Sequence, residues 1–241
     1  MKPLLRWTIG NVHHYGFQIL AQSIDKLKKI YKDEFDYLVC HNSLNTEQLA
    51  FLEKLSVALY CQDDYQSNLS CPKPTNAGQA GWKIYPPRLR PDGHEIVLDN
   101  DVVIKKRIPA IDRFLKSNSI FLITEAKKRC FGAFDSLILP RGYKTKFNTG
   151  FFSMPPGYDF ETDLENKIKK LNFTEWKDHF DKQGLVAACI TSHNYELISL
   201  KAIGVHSVNF IPGIYGDHFV GSNSGYARYW RESNKSKIKM L

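Results

Sequence analysis

Two carboxylates, Asp99 and Asp101, stand one residue apart where the apolar run Ile96-Val97-Leu98 breaks off, and a second apolar run, Val102-Val103-Ile104, follows at once. The first run is short, β-branched and preceded by Pro91-Asp92-Gly93, which predicts a buried strand. Carboxylates at the end of a buried strand are costly unless a cation meets them. Hard oxygen ligands suit Mg²⁺ and Mn²⁺, so a divalent cation is the simplest partner for this pair. In open α/β sheets ligands gather outside the carboxyl ends of strands, where these carboxylates would stand. Asp-x-Asp is also a frequent pattern on ordinary surfaces, so the pair needs further partners before it is a site.

Candidate partners lie on both sides. Lys83, Arg88 and Arg90 precede the acidic strand. They suit a diphosphate, since arginine offers a planar fork to phosphate oxygens, or they are solvated surface charges. Near the N-terminus an apolar run, Leu4–Ile9, leads into Gly10-Asn11-Val12-His13-His14-Tyr15-Gly16, a loop at a first strand-to-helix turn where nucleotides often sit. It has no GxGxxG, which excludes a dinucleotide fingerprint. His13-His14 is read either as part of a polar surface loop or as a binding element. Thr8, Gly10 and Asn11 at this turn, Asn76 in the turn-rich segment 62–77, and Asn100 between the carboxylates join Lys83 and Arg88 as candidate nucleotide contacts.

The elements that would position these groups follow from periodicity. Helices are expected over Phe17–Tyr31, after Thr46 as a cap, over Ile108–Lys116 and over Tyr158–Leu171, from apolar residues recurring every three or four positions. Strands are expected at Leu4–Ile9, Asp36–His41, Val57–Cys61, Ser119–Thr124 and Phe147–Met154, with Cys130–Leu139 as a further candidate. Trp176–Phe180 and Gly184–Ile190 read as paired helical segments around Asp181-Lys182-Gln183, and Glu196–Ala202 as strand or helix. The first 61 residues thus read β-α-β-α-β, the start of a parallel sheet covered by helices.

A chain of 241 residues with 43% apolar composition can build one sizeable α/β unit. The net charge of +8 suits polyanionic partners without choosing among nucleotides, nucleic acid and membrane surfaces. Five scattered cysteines with no CxxC argue against a disulfide framework or a zinc site. MKPLLRWTIG lacks the apolar core of a signal peptide and no run is long enough to span a bilayer, so a cytoplasmic protein is expected.

Taken with Phe147-Asn148-Thr149-Gly150 and His218-Phe219-Val220-Gly221, the acidic strand gives an order of landmarks that resembles the GT-A glycosyltransferases, most of all glycosyltransferase family eight. The likeness runs from about Leu4 to Gly221 and includes Arg88-Leu89 and, imperfectly, Asp181-Lys182-Gln183 in place of the family's Asp-Gln. It implies a single Rossmann-like α/β domain over 1–241, with a mostly parallel sheet flanked by helices. Residues 1–95 would form the nucleotide-binding half, 96–233 the metal, donor-sugar and acceptor half, and 234–241 a basic tail. It implies that Asp99, Asp101 and His218 hold a divalent cation, Mn²⁺ in preference to Mg²⁺, that bridges the diphosphate of a nucleotide-sugar donor, with UDP expected. Arg88 would contact donor phosphate or sugar, Asn148 the donor sugar, and Asp181 and Gln183 the reacting centre, with a lean toward retention. The acceptor would be a glycan or another hydroxyl. Where the family carries Lys-Pro-Trp after His-x-x-Gly, this chain has Ser222-Asn223-Ser224-Gly225, with Arg228 the nearest cation. Two other readings are a nucleic-acid-binding module, suggested by the charge and twelve tyrosines, and a sugar-nucleotide pyrophosphorylase.

Overall fold

The computed structural model describes residues 1–71, 73, 83–127, 131–138, 146–206, 211–220 and 230. Strand β1 (Leu4–Ile9) pairs in parallel with β2 (Asp36–His41) on one side and with β4 (Glu95–Asp99) on the other. Beyond β2, β3 (Ala58–Cys61) adds in parallel. Beyond β4, β7 (Phe147–Met154) runs antiparallel between β4 and β6 (Ile120–Thr124), and β8 (Tyr195–Ile198) lies parallel to β6. The order β3-β2-β1-β4-β7-β6-β8 makes the mostly parallel sheet that the β-α-β-α-β start implies. The chain winds outward from β1 to β3 and then returns to β4, so the switch point lies between β1 and β4. Thr8 is in register with Asp99 there.

Both faces of the sheet are covered, and the period-two alternation of the strands assigns the side chains to them. Trp7, Ile96, Leu98, Phe121, Ile123 and Phe151 enter one core, with α1 (His14–Tyr31) and α3 (Pro109–Phe114). Val97, Leu122, Phe147 and Phe152 enter the other, with α5 (Phe160–Lys170) and α6 (His179–Ile190). This is why β4 reads as an unbroken apolar run. In α1, Phe17, Leu20, Ile24 and Leu27 form the buried stripe. A smaller sheet sets β10 (Gly216–His218) antiparallel to β5 (Val102–Ile104) and parallel to β9 (Ile203–Val205). Among the described residues no helix is long and apolar enough to cross a membrane.

Several local expectations are corrected. Asn45, not Thr46, caps α2 (Thr46–Glu53), through a reciprocal box with Gln48. The described part of Cys130–Leu139 is a 3₁₀ turn at Gly132–Phe134 running into α4 (Asp135–Ile138), not a strand. The segments around Asp181-Lys182-Gln183 are one continuous helix, α6, capped by Asp178. Glu196 and Ile198 belong to β8, and the chain turns after it.

Candidate active site

The carboxyl ends of β1 and β4 and the small sheet bring the acidic motif and His218 together. β4 ends at Asp99, the chain turns through Asn100 and Asp101, and β5 begins at Val102. Antiparallel pairing sets His218 opposite Val102, and the Phe219 amide donates to the Asp101 carbonyl at 3.0 Å. His218 Nε2 therefore lies 3.2 Å from Asp101 Oδ1 and 3.7 Å from Asp99 Oδ2. Gly150 lets the imidazole in: a Cβ there would stand 2.1 Å from His218 Cε1.

One ligand atom from each of Asp99, Asp101 and His218 lies within 4.8 Å of the others, so the trio fits a divalent cation. Asp101 Oδ1 is buried, with the His218 imidazole as its near neighbour, so a metal would sit between the two. Lys83 Nζ, only 3% exposed, sits 2.5 Å from Asp99 Oδ1 and also donates to the Thr149 carbonyl, leaving Asp99 Oδ2 on the histidine side. Burial pushes the Lys83 ammonium down to about 8 against the pull of Asp99. Burial works to raise the Asp99 carboxyl, but Lys83, Lys182 and His218 outweigh it and hold the carboxyl below the usual carboxylate range. Burial likewise opposes charge on His218, yet Asp101 and then Asp99 raise the imidazole above its ordinary value.

The other expected site residues divide into two sets. Thr8 Oγ1 is buried beside Asp99 in register and forms no hydrogen bond. Asn148 is buried, donates to Glu125 Oε2 at 2.8 Å and accepts from the Gly150 amide at 2.7 Å, so it lines the same wall as His218. Gly10 and Asn11 lie on the loop after β1, where Asn11 Oδ1 accepts from Gln48. Asn100 turns away from ligand duty: its amide donates to the Gly16 carbonyl and ties the acidic turn to α1. The Arg88 guanidinium donates to the carbonyls of Arg90, Tyr158, Gly93, Met154 and Pro155 and so fastens these loops together. Asp181 is likewise engaged, accepting from the Ala133 and Lys177 amides at 2.8 Å each. Gln183 donates to the Phe147 carbonyl at 2.9 Å. Asn76 and Gly221 lie outside the described residues.

Three residues were missed by sequence reasoning. Glu125, buried at the end of β6, holds Asn148. Asn42, buried at the end of β2, carries an amide nitrogen without a hydrogen bond. Lys182 acts electrostatically on both Asp99 and Lys83.

No family model matches it, and no curated sequence is significantly similar. Solved structures do match. The bifunctional glycosyltransferase WbbM is 12% identical with a TM-score of 0.68, over 100% of this chain and 52% of WbbM, so the chain spans about half the length of that protein. The galactosyltransferase LgtC, solved with donor and acceptor sugar analogues, is 10% identical with a TM-score of 0.59, over 96% of this chain and 95% of LgtC. Mouse xyloside xylosyltransferase 1 is 12% identical with a TM-score of 0.53, over 99% and 92%.

The chain has the GT-A fold. On that fold, the Asp99–Asp101–His218 cluster stands at the carboxyl edge of the sheet, beside the switch point between β1 and β4.

Proposed function

We propose that this protein transfers a sugar from a nucleoside-diphosphate sugar, UDP-linked in the first instance, to a glycan or other hydroxyl acceptor, using a divalent metal. The observation that carries the reading is the convergence of Asp99, Asp101 and His218, with their ligand atoms within 4.8 Å, at the switch point of a GT-A sheet. The structural neighbours, among them a galactosyltransferase bound to donor and acceptor analogues, support it.

Asp99 Oδ2, Asp101 Oδ1 and His218 Nε2 would hold the metal, and the nitrogen ligand favours Mn²⁺ over Mg²⁺. When bound, it would supply Lewis-acid stabilisation to the departing diphosphate. One unit charge at ~4 Å in an effective dielectric of ~20 is worth roughly 4 kcal/mol, which is about three decades in rate. Lys83 keeps Asp99 ionised and oriented. Gly150 leaves the room in which His218 sits, while Glu125 orients Asn148 on the donor side. Thr8 and the loop at Gly10 and Asn11 would take the nucleoside, as the first strand-to-helix turn does in open α/β sheets. Retention is the expected stereochemistry, with Asp181, whose oxygens each accept a backbone amide, fixing the start of α6 beside Gln183.

Thermal unfolding tests the reading, with UDP, with Mn²⁺ and with both, in the wild type and in Asp101→Ala. A ligand at ~100 times its Kd adds about 2.7 kcal/mol, a rise of roughly 5–10 °C for a chain of this size. The expected result is a rise that needs both ligands and vanishes in Asp101→Ala. No rise with UDP, GDP or dTDP in the presence of Mn²⁺ would overturn it.

A further inference from the structure

A second cleft lies at the edge of the sheet opposite the metal trio. It opens where β7 ends and β6 begins, between the turn Pro155-Pro156-Gly157, the first turns of α5 and the His193-Asn194 segment after α6. Asn148 and Met154 are the second and the last residues of β7, roughly 20 Å apart, so the cleft is well removed from the wall that His218 shares with Asn148. Its volume of about 490 Å³ falls within the ~300–1,000 Å³ of small-molecule sites.

The walls are braced. Arg88 donates to the Pro155 and Tyr158 carbonyls at 2.7 and 2.8 Å, which fixes the turn. The Tyr158 hydroxyl donates to Asp163 Oδ2 at 2.9 Å, and His193 Nε2 lies 3.0 Å from the same oxygen. The Tyr158 and His193 rings meet edge-on, with centroids 4.8 Å apart. Lys167 Nζ lies 3.8 Å from Asp163 Oδ1, and Asp159 Oδ1 accepts the Thr162 amide. The carboxylates are therefore engaged. The side chains of Asn118, Asn166 and Asn194 are not. They are exposed on three different segments of the rim and make no hydrogen bond among the described residues.

A carboxamide both donates and accepts, as a hydroxyl does. Three of them above a floor of Pro155, Pro156 and Tyr158 match the hydroxyl rim and the apolar C–H face of a sugar ring. The lining carries Asp159 and Asp163 and no lysine or arginine, which disfavours an anion. We infer that this cleft is a second carbohydrate-binding site, separate from the metal centre, which takes a neutral sugar unit of a glycan. The ligand class follows from the lining and is independent of the donor.

Saturation-transfer NMR and calorimetric titration with lactose, maltose, cellobiose and xylobiose test it, in the wild type, in the double variant Asn166→Ala/Asn194→Ala and in Asp101→Ala. The wild type should bind at least one of the four. Loss of two hydrogen bonds predicts roughly tenfold weaker binding by the double variant, with its unfolding midpoint and its Mn²⁺-dependent UDP binding unchanged. Asp101→Ala should bind the sugar as the wild type does. Sugar affinity within about twofold of wild type in the double variant would place the sugar elsewhere and overturn the assignment. A midpoint that falls together with sugar affinity would make the asparagines structural, which also overturns it. A wild type that binds UDP with Mn²⁺ but none of the four sugars would remove the cleft and keep the donor reading. A wild type that binds sugar through the asparagines but no UDP, GDP or dTDP would keep the cleft and remove the donor reading.

Discussion

Gly150 and His218 show how narrowly the metal trio is set. The Cβ of an alanine at 150 would meet His218 Cε1 at 2.1 Å, Nδ1 at 2.7 Å and Asn148 Oδ1 at 2.8 Å, so the imidazole must move. Displacing a group that supports a ligand costs 10–100-fold in metal affinity, so we expect Gly150→Ala to bind Mn²⁺ at least about tenfold more weakly by titration. Unchanged Mn²⁺ affinity would mean that His218 is not a ligand. The same histidine predicts a pH signature. Its folded value is raised above the ordinary 6.5, with Asp101 and Asp99 overcoming burial. In the metal-free protein this contributes stability that is complete below 6.5 and lost as pH rises through the folded value. Metal must compete with that proton, so Mn²⁺ should stabilise the protein more as pH rises from 6 to 8. Thermal midpoints across this range, with and without Mn²⁺, test both signs. A Mn²⁺ effect that is flat with pH, or that survives in His218→Gln, contradicts the assignment. At this scale the sequence was legible where one residue type ended a strand and another followed in family order. Glu125 carried the same local signal as Asp99, a carboxylate closing the apolar strand Ile120–Thr124, but had no second acidic residue to mark it. Lys182 carried no local signal at all, because its meaning depends on where α6 docks.

Among the elements, α1 does more than cover the sheet. Trp7 of β1 donates its indole N–H to Ser23 of α1 at 2.9 Å, and Ser23 donates in turn to the Val102 carbonyl of β5. That relay, with Asn100 on the Gly16 carbonyl, pins both ends of the acidic turn to one helix. Ser23→Ala would leave the buried Trp7 N–H and Val102 C=O unpaired, so a loss of about 1–3 kcal/mol is expected in denaturant unfolding. A change under about 0.5 kcal/mol, the usual size for an uninvolved surface site, would show that the relay does not hold the turn. Long periodic elements such as α1, α5 and β7 were legible because their own side-chain pattern specifies them. The elements misread were short or irregular. Gly132–Ile138 is held by contacts with α6, and α6 looked broken because Asp181, Lys182 and Gln183 interrupt an apolar stripe although all three are helical. Polar residues buried by tertiary hydrogen bonds resemble a solvated loop when only sequence is in view.

Across the whole molecule, β4 links two different kinds of charge. At its far end the buried Arg6–Glu95 pair, 2.7 Å apart and both 0% exposed, joins β1 to β4. Arg6 also donates to the Pro86 and Pro87 carbonyls, and Glu95 accepts the Leu89 and Arg90 amides. At its near end Asp99 stands in the site, four residues or roughly 13 Å along the strand. The parallel sheet and the placing of the site at its carboxyl edge were legible from strand order and motif position. The job of the cations was not, since Arg6 and Arg88 look in sequence like any surface arginine and only the fold reveals how many carbonyls each one holds. The two ends of β4 should therefore separate under mutation. Glu95→Gln leaves the Arg6 charge buried without its counter-ion, a loss of about 3–5 kcal/mol in unfolding free energy. Affinity for Mn²⁺ and UDP in the folded fraction should stay within about twofold of wild type, as expected for sites more than ~10 Å apart that share no partner. Asp101→Ala should abolish Mn²⁺-dependent UDP binding, and its effect on metal-free stability should fade as pH rises through the folded value of His218, whose main counter-charge it removes. If Glu95→Gln weakens binding in step with stability at a temperature where it is fully folded, the two ends of β4 are coupled, and the Arg6–Glu95 pair belongs to the site rather than to its support.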